Sequence, residues 1–108
     1  MTVRLTTQVL HLLAVMLEEP EGEWYGLELF RVTGIKPGTG YPILQRLLRA
    51  EWVERREEPI DPRVEGRPAR ALYRFTPGGR LHAEDAVKGH LTSLAQKGRL
   101  KKARVQPA

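Results

Sequence analysis

The feature that most limits what this chain can fold into is a glycine–proline junction between two short helical patterns, Gly34-Ile35-Lys36-Pro37. Before it, Leu27 and Phe30 stand three apart, flanked by Leu29 and Thr33, which predicts a helix over roughly Tyr25 to Thr33. Gly34 follows the last periodic position, where a glycine can close a helix in the left-handed conformation. Pro37 can then occupy a first helical turn, where its missing N–H costs nothing. A second helix follows through Ile43, Leu44, Leu47 and Leu48 to about Ala50. Two short helices across a tight glycine turn outline a helix-turn-helix.

The flanking segments build a platform around this unit. Thr6 and Thr7 are N-cap candidates for an earlier helix, whose Leu10, Leu13, Ala14 and Leu17 recur at helical spacing, widened by Val9, Leu12 and Met16. So broad a stripe suits a helix buried on several sides, and Pro20 and Gly22 end it. After the helix-turn-helix, Trp52 to Glu58 reads as extended and Pro59 to Pro68 as a loop. Ala71 to Phe75 alternates as a strand, with Ala71, Tyr73 and Phe75 on one face. The two strands predict a hairpin of the kind called a wing. Thr76 and Pro77 then open a last helix carrying Leu81, Val87, Leu91 and Leu94, weakened by Gly78, Gly79 and Gly89 and ended at Gly98. The expected fold is mainly α with a small β-hairpin wing. It comprises a winged helix-turn-helix over 1–75, a C-terminal dimerisation helix over 76–97 and a basic flexible tail over 98–108.

Net charge is a weaker guide than it looks. The excess is +5, and Lys97, Arg99, Lys101, Lys102 and Arg104 account for all of it. Placement matters more. Glu18, Glu19, Glu21, Glu23 and Glu28 cluster early, whereas Arg31 to Arg49 and Arg67 to Arg80 contain no acid. A polyanion would be drawn to the latter two segments and repelled by the first. The absence of cysteine removes disulfides and thiolate chemistry and suits a reducing cytoplasm. No apolar run reaches the ~20 residues of a membrane span. The single serine, Ser93, and the three histidines, His11, His82 and His90, form no triad or ligand spacing. The expectation is therefore no enzyme, no cofactor and no metal.

In a helix-turn-helix the second helix enters the major groove. With Ile43, Leu44, Leu47 and Leu48 turned inward, Lys36, Thr39, Tyr41, Pro42, Gln45, Arg46 and Arg49 are left for DNA. Lysine and arginine neutralise phosphate or bond guanine edges, and glutamine pairs with adenine. Thr39 and the free N–H groups near Gly38 could hold a phosphate at the helix start. In the wing, Arg67 and Arg70 are favoured over Arg63, because they lie nearest the strand that would fix them.

These residues resemble the PadR family of winged-helix transcriptional regulators. The resemblance rests on Lys36-Pro37-Gly38-Thr39-Gly40-Tyr41-Pro42-Ile43-Leu44-Gln45-Arg46-Leu47 followed by Ala50-Glu51-Trp52-Val53, and on the run from Gly66 to Arg80. It implies a homodimer paired through the last helix and the first, two recognition helices on a palindromic double-stranded operator, usually repression, and in many members release by a small-molecule effector. The chain departs from the pattern at Lys36, where a serine cap is usual, and at Gly40, where an apolar residue is common. It departs again at Ala50-Glu51, where a charged residue and glycine are preferred, and at Gly89 in the presumed dimer helix. Independently of family, the leucines of the last helix need a cover. A two-fold mate would supply it, unless the helix folds back on the first helix of its own chain. The competing uses of such a domain are protein–protein contact and phage-type architectural DNA binding.

Overall fold

The computed structural model describes the backbone of residues 3–105 and the side chains of residues 3–97. Its elements are α1 (Thr7–Leu17), β1 (Trp24–Tyr25), α2 (Gly26–Thr33), α3 (Pro37–Arg49), β2 (Val53–Glu57), α4 (Pro62–Glu65), β3 (Ala71–Phe75) and α5 (Pro77–Val105). The strands form one antiparallel sheet in the order β1-β3-β2.

Helix α1 starts where Thr6 accepts a hydrogen bond from the Val9 N–H at 3.2 Å. Its Leu12, Leu13 and Met16 are fully buried, so it runs through the centre of the core. Gly34 closes α2 in the left-handed conformation (φ 75°), its N–H donating to the Phe30 carbonyl at 2.8 Å. Thr33 supports the same turn: its hydroxyl donates to the Leu29 carbonyl at 2.7 Å and accepts from the Ile35 N–H. Pro37 sits in the first turn of α3 as expected.

Three features differ from the sequence reading. Trp24 and Tyr25 form a strand paired with Tyr73 and Leu72, whereas periodicity assigned Tyr25 to a helix. Two residues are too short to show a period of any kind. The wing loop contains a single helical turn, α4, capped by the Asp61 carboxylate on the Arg63 N–H at 2.9 Å and closed by Gly66 (φ 70°). Finally, α5 does not stop at Gly98 but continues to Val105. One glycine costs a helix about 1 kcal/mol against alanine and does not break it among good helix formers. The tail's basic side chains, from Arg99 onward, lie outside the described residues, as does the backbone of 106–108.

The junctions around the sheet fix α3 and α5 in place. Glu51 takes a left-handed φ of 61°, unusual for a residue with a side chain, to turn the chain from α3 into β2. Strand β2 pairs with β3 from Val53↔Phe75 to Glu57↔Ala71. Thr76 then staples the start of α5 to the start of β2. Its hydroxyl donates to the Glu51 carbonyl at 2.6 Å and accepts from the Gly79 N–H at 2.9 Å, while its own N–H reaches the Trp52 carbonyl at 3.0 Å. Gly79 lies against that carbonyl so closely that no Cβ would fit. Tyr73 and Phe75 enter the core as alternation predicts; Leu72, on the opposite face, is also buried.

Candidate nucleic-acid interface

Helix α3 divides cleanly. Ile43, Leu44 and Leu47 are buried, and Leu48 is partly buried against the same core. Lys36, Thr39, Tyr41, Pro42, Gln45, Arg46 and Arg49 are all exposed. The structure therefore brings every α3 residue singled out from the sequence to the outside, on a stretch without an acidic side chain. Lys36 makes no side-chain cap to the helix.

Two details of α3 were not legible in the pattern. Gly40 is buried, and a Cβ there would run into the ring of Phe30. The glycine lets α3 close on α2. Tyr41 is only 42% exposed, because its ring meets Phe30 edge-on with centroids 4.9 Å apart at 89°. Its ring also approaches Gly26 closely. Tyr41 thus holds the two helices together as well as presenting a hydroxyl.

The wing is organised around an acid that sequence reasoning missed. Glu58, 9% exposed, accepts from the Tyr25 hydroxyl at 2.6 Å, from the Arg67 guanidinium at 2.7 and 3.1 Å, and from the Arg70 N–H at 3.3 Å. One carboxylate ties together β1, the wing loop and the entry to β3. The Arg67 guanidinium above all, then the Tyr25 hydroxyl, holds the Glu58 carboxyl down at about 2. The same contact raises the Tyr25 hydroxyl above its ordinary value. No local signal marks Glu58, since its partners lie 9 to 33 residues away.

This changes the place of Arg67. The sequence reading sets it beside Arg70 as a DNA contact, but its guanidinium is engaged with Glu58. Arg70 is exposed and lies over the Tyr25 ring at 5.4 Å. Other arginines of the sheet and of the α5 start are paired as well: Arg56 with Glu23, Arg74 with Glu54, and Arg80 with Glu84.

The candidate dimer residues separate into two groups. Val87 packs against the chain's own core, as does the fully buried Ala83, so this part of α5 folds back on its own molecule. Leu81, Leu91 and Leu94 are exposed at 67, 61 and 50%. All side chains from Leu91 to Lys97 are exposed, because α5 has there left the body of the protein.

Solved structures share this mainly helical fold with its small three-stranded antiparallel sheet. The protein smu.1704 from Streptococcus mutans superposes with a TM-score of 0.72 over all of both chains, at 19% identity. The chain has a winged-helix fold. A variant of ZitR from Lactococcus lactis matches this winged helix with a TM-score of 0.67 and 18% identity, over 95% of this chain and 64% of that one. The winged helix thus spans less than two thirds of ZitR, which is a zinc-responsive MarR family member. BpsR of Bordetella bronchiseptica, whose DNA binding is regulated by 6-hydroxynicotinic acid, gives a TM-score of 0.63 at 19% identity over 95% of this chain and 69% of that one. No protein-family model and no curated protein matches the sequence. Among the described residues no helix is long and apolar enough to cross a membrane, and no group of three or more metal-binding side chains converges.

Proposed function

We propose that this chain is a transcriptional regulator that binds double-stranded DNA in a sequence-dependent way. The observation that carries the reading is the outer face of α3. It presents Lys36, Thr39, Gln45, Arg46 and Arg49 with no acid among them, on a helix packed closely against α2 where Gly40 meets Phe30. Such a face fits a major groove, where arginine reads guanine and glutamine reads adenine. Solved winged helices of the same shape include one described by its regulated DNA binding. This supports the reading.

The finer assignment is a PadR-type repressor acting as a homodimer in the cytoplasm, on a palindromic operator. It rests on the motif from Lys36 to Leu47 and on the uncovered leucines of α5. Release by a small-molecule effector belongs to the same proposal. We assign the chain no enzymatic role and no cofactor. Selection of bound duplexes from a random pool tests the reading, and the half-site spacing it returns tests the dimer. A pool that never enriches, with binding that does not weaken as salt rises, would leave protein–protein contact as the use of this domain.

A further inference from the structure

A recess of about 500 Å³ lies between α2, α3 and the start of β3. Arg31 of α2 and Arg70 of the wing both line it. Both are exposed, and among the described residues neither lies within ion-pairing distance of an acid. The arginines at 56, 67, 74 and 80 are each paired with a glutamate. Two unpaired guanidinium groups, carried by separate elements, thus share one concave surface.

We propose that this recess is the seat of a single DNA backbone phosphate, gripped by Arg31 and Arg70 together. The proposal rests on the DNA-binding reading above and names how the helix-turn-helix and the wing hold the same strand. A guanidinium fits a phosphate in bidentate fashion. Tyr41 adds a hydroxyl from α3, the helix that would enter the groove. A duplex lying along the exposed face of α3 would carry its backbone past this ring.

The walls of the seat are fixed in advance. The Tyr25 hydroxyl is committed to Glu58, and its ring lies beneath Arg70. Tyr41 is braced on Phe30, and Tyr73 is only 4% exposed. Glu58 also takes the Arg70 N–H, so it sets where the wing side of the recess stands relative to β1. It is a positioning residue and does not itself face the phosphate. Glu28 lines the same recess and opposes an anion there.

The test uses the full chain and a duplex recovered by selection, with affinity followed across a salt series. Arg31→Gln and Arg70→Gln should each weaken binding by about tenfold, the scale of a charge-assisted contact. The double variant should lose about 0.9 from the slope of log affinity against log salt, the value for one phosphate. Glu28→Gln should tighten binding, and none of these variants should alter the preferred sequence. A loss near 1.8 in the double variant would mean two separate phosphates and overturn the shared seat. Unchanged affinity in both single variants, or a changed base preference, would overturn it equally. If inorganic phosphate binds the DNA-free protein saturably through these arginines while the slope on DNA stays put, the seat belongs to a free anion and the proposal fails. A wild-type chain that binds no duplex at all would instead remove the DNA-binding reading itself.

Discussion

Gly40 and Glu51 show how single residues set the pose of α3. At position 40 the Phe30 ring occupies the space a side chain would need. Gly40→Ala should destabilise the fold by about 1–3 kcal/mol, the usual cost of overpacking, despite alanine's better helix propensity. Denaturant melts of the single variant and of Gly40→Ala with Phe30→Leu check this, with the double variant recovering part of the loss. Glu51 bears the opposite strain, a left-handed φ on a residue with a Cβ. That conformation costs roughly 1–2 kcal/mol, while glycine costs about 0.5–1 kcal/mol in chain entropy. Glu51→Gly should therefore stabilise by up to about 1 kcal/mol, read as a raised midpoint in the same melts. Glu58 gives a pH dependence with a definite sign. Its carboxyl is held near 2 in the folded chain, below its value of about 4.3 when unfolded. The stability it supplies is complete above the unfolded value and is lost as pH falls toward 2. Thermal melts of the wild type should fall below those of neutral pH across that window. Glu58→Gln should start lower, flatten the curve and meet the wild type near the acid end.

Among the elements, those with strong local punctuation were legible from sequence. Gly34 and Pro37 marked the break between α2 and α3, and Thr76 with Pro77 marked the start of α5, because capping is a matter of neighbouring residues. The outward face of α3 was legible too, since burial of Ile43, Leu44 and Leu47 leaves little choice for the rest. Strand β1 and helix α4 were not, being a pair of residues and a single turn. The Tyr25–Glu58–Arg67 network is invisible in the sequence because it joins elements distant along the chain, so the pairing of Arg67 with Glu58 has no local signal. The proposed role of α3 in reading DNA has a direct check. Arg46→Ala should cost about 1–3 kcal/mol of discrimination against non-cognate duplexes while helix content stays unchanged by circular dichroism. For Tyr41 the informative variant is phenylalanine, because alanine would also remove the contact with Phe30.

At the scale of the whole molecule, the long last helix dominates the shape. The chain measures 71 Å along its longest axis against 26 and 22 Å across. The first part of α5 is anchored on the chain's own core through Ala83 and Val87, and the part beyond carries Leu91 and Leu94 with nothing over them. Sequence alone left open whether this stripe turned inward or outward; the structure divides it between the two. On the proposed pairing through α5, Leu91→Glu should convert the dimer to a monomer in sedimentation without lowering the melting temperature of the monomer. An unchanged sedimentation coefficient would reject this segment as the contact. Val87→Glu is no substitute, because it would damage the core and report on folding instead.

The interlock of Gly40 beneath Phe30 bears on how the proposed DNA preference could be changed. On the DNA-binding reading proposed above, that contact ties the tilt of α3 to that of α2. On that reading a change of base preference is best sought by exchanging outward side chains such as Gln45 and Arg46, with the backbone left as it is. Changes at positions 30 or 40 would re-aim every such side chain at once, so libraries meant to tune base choice should leave both untouched.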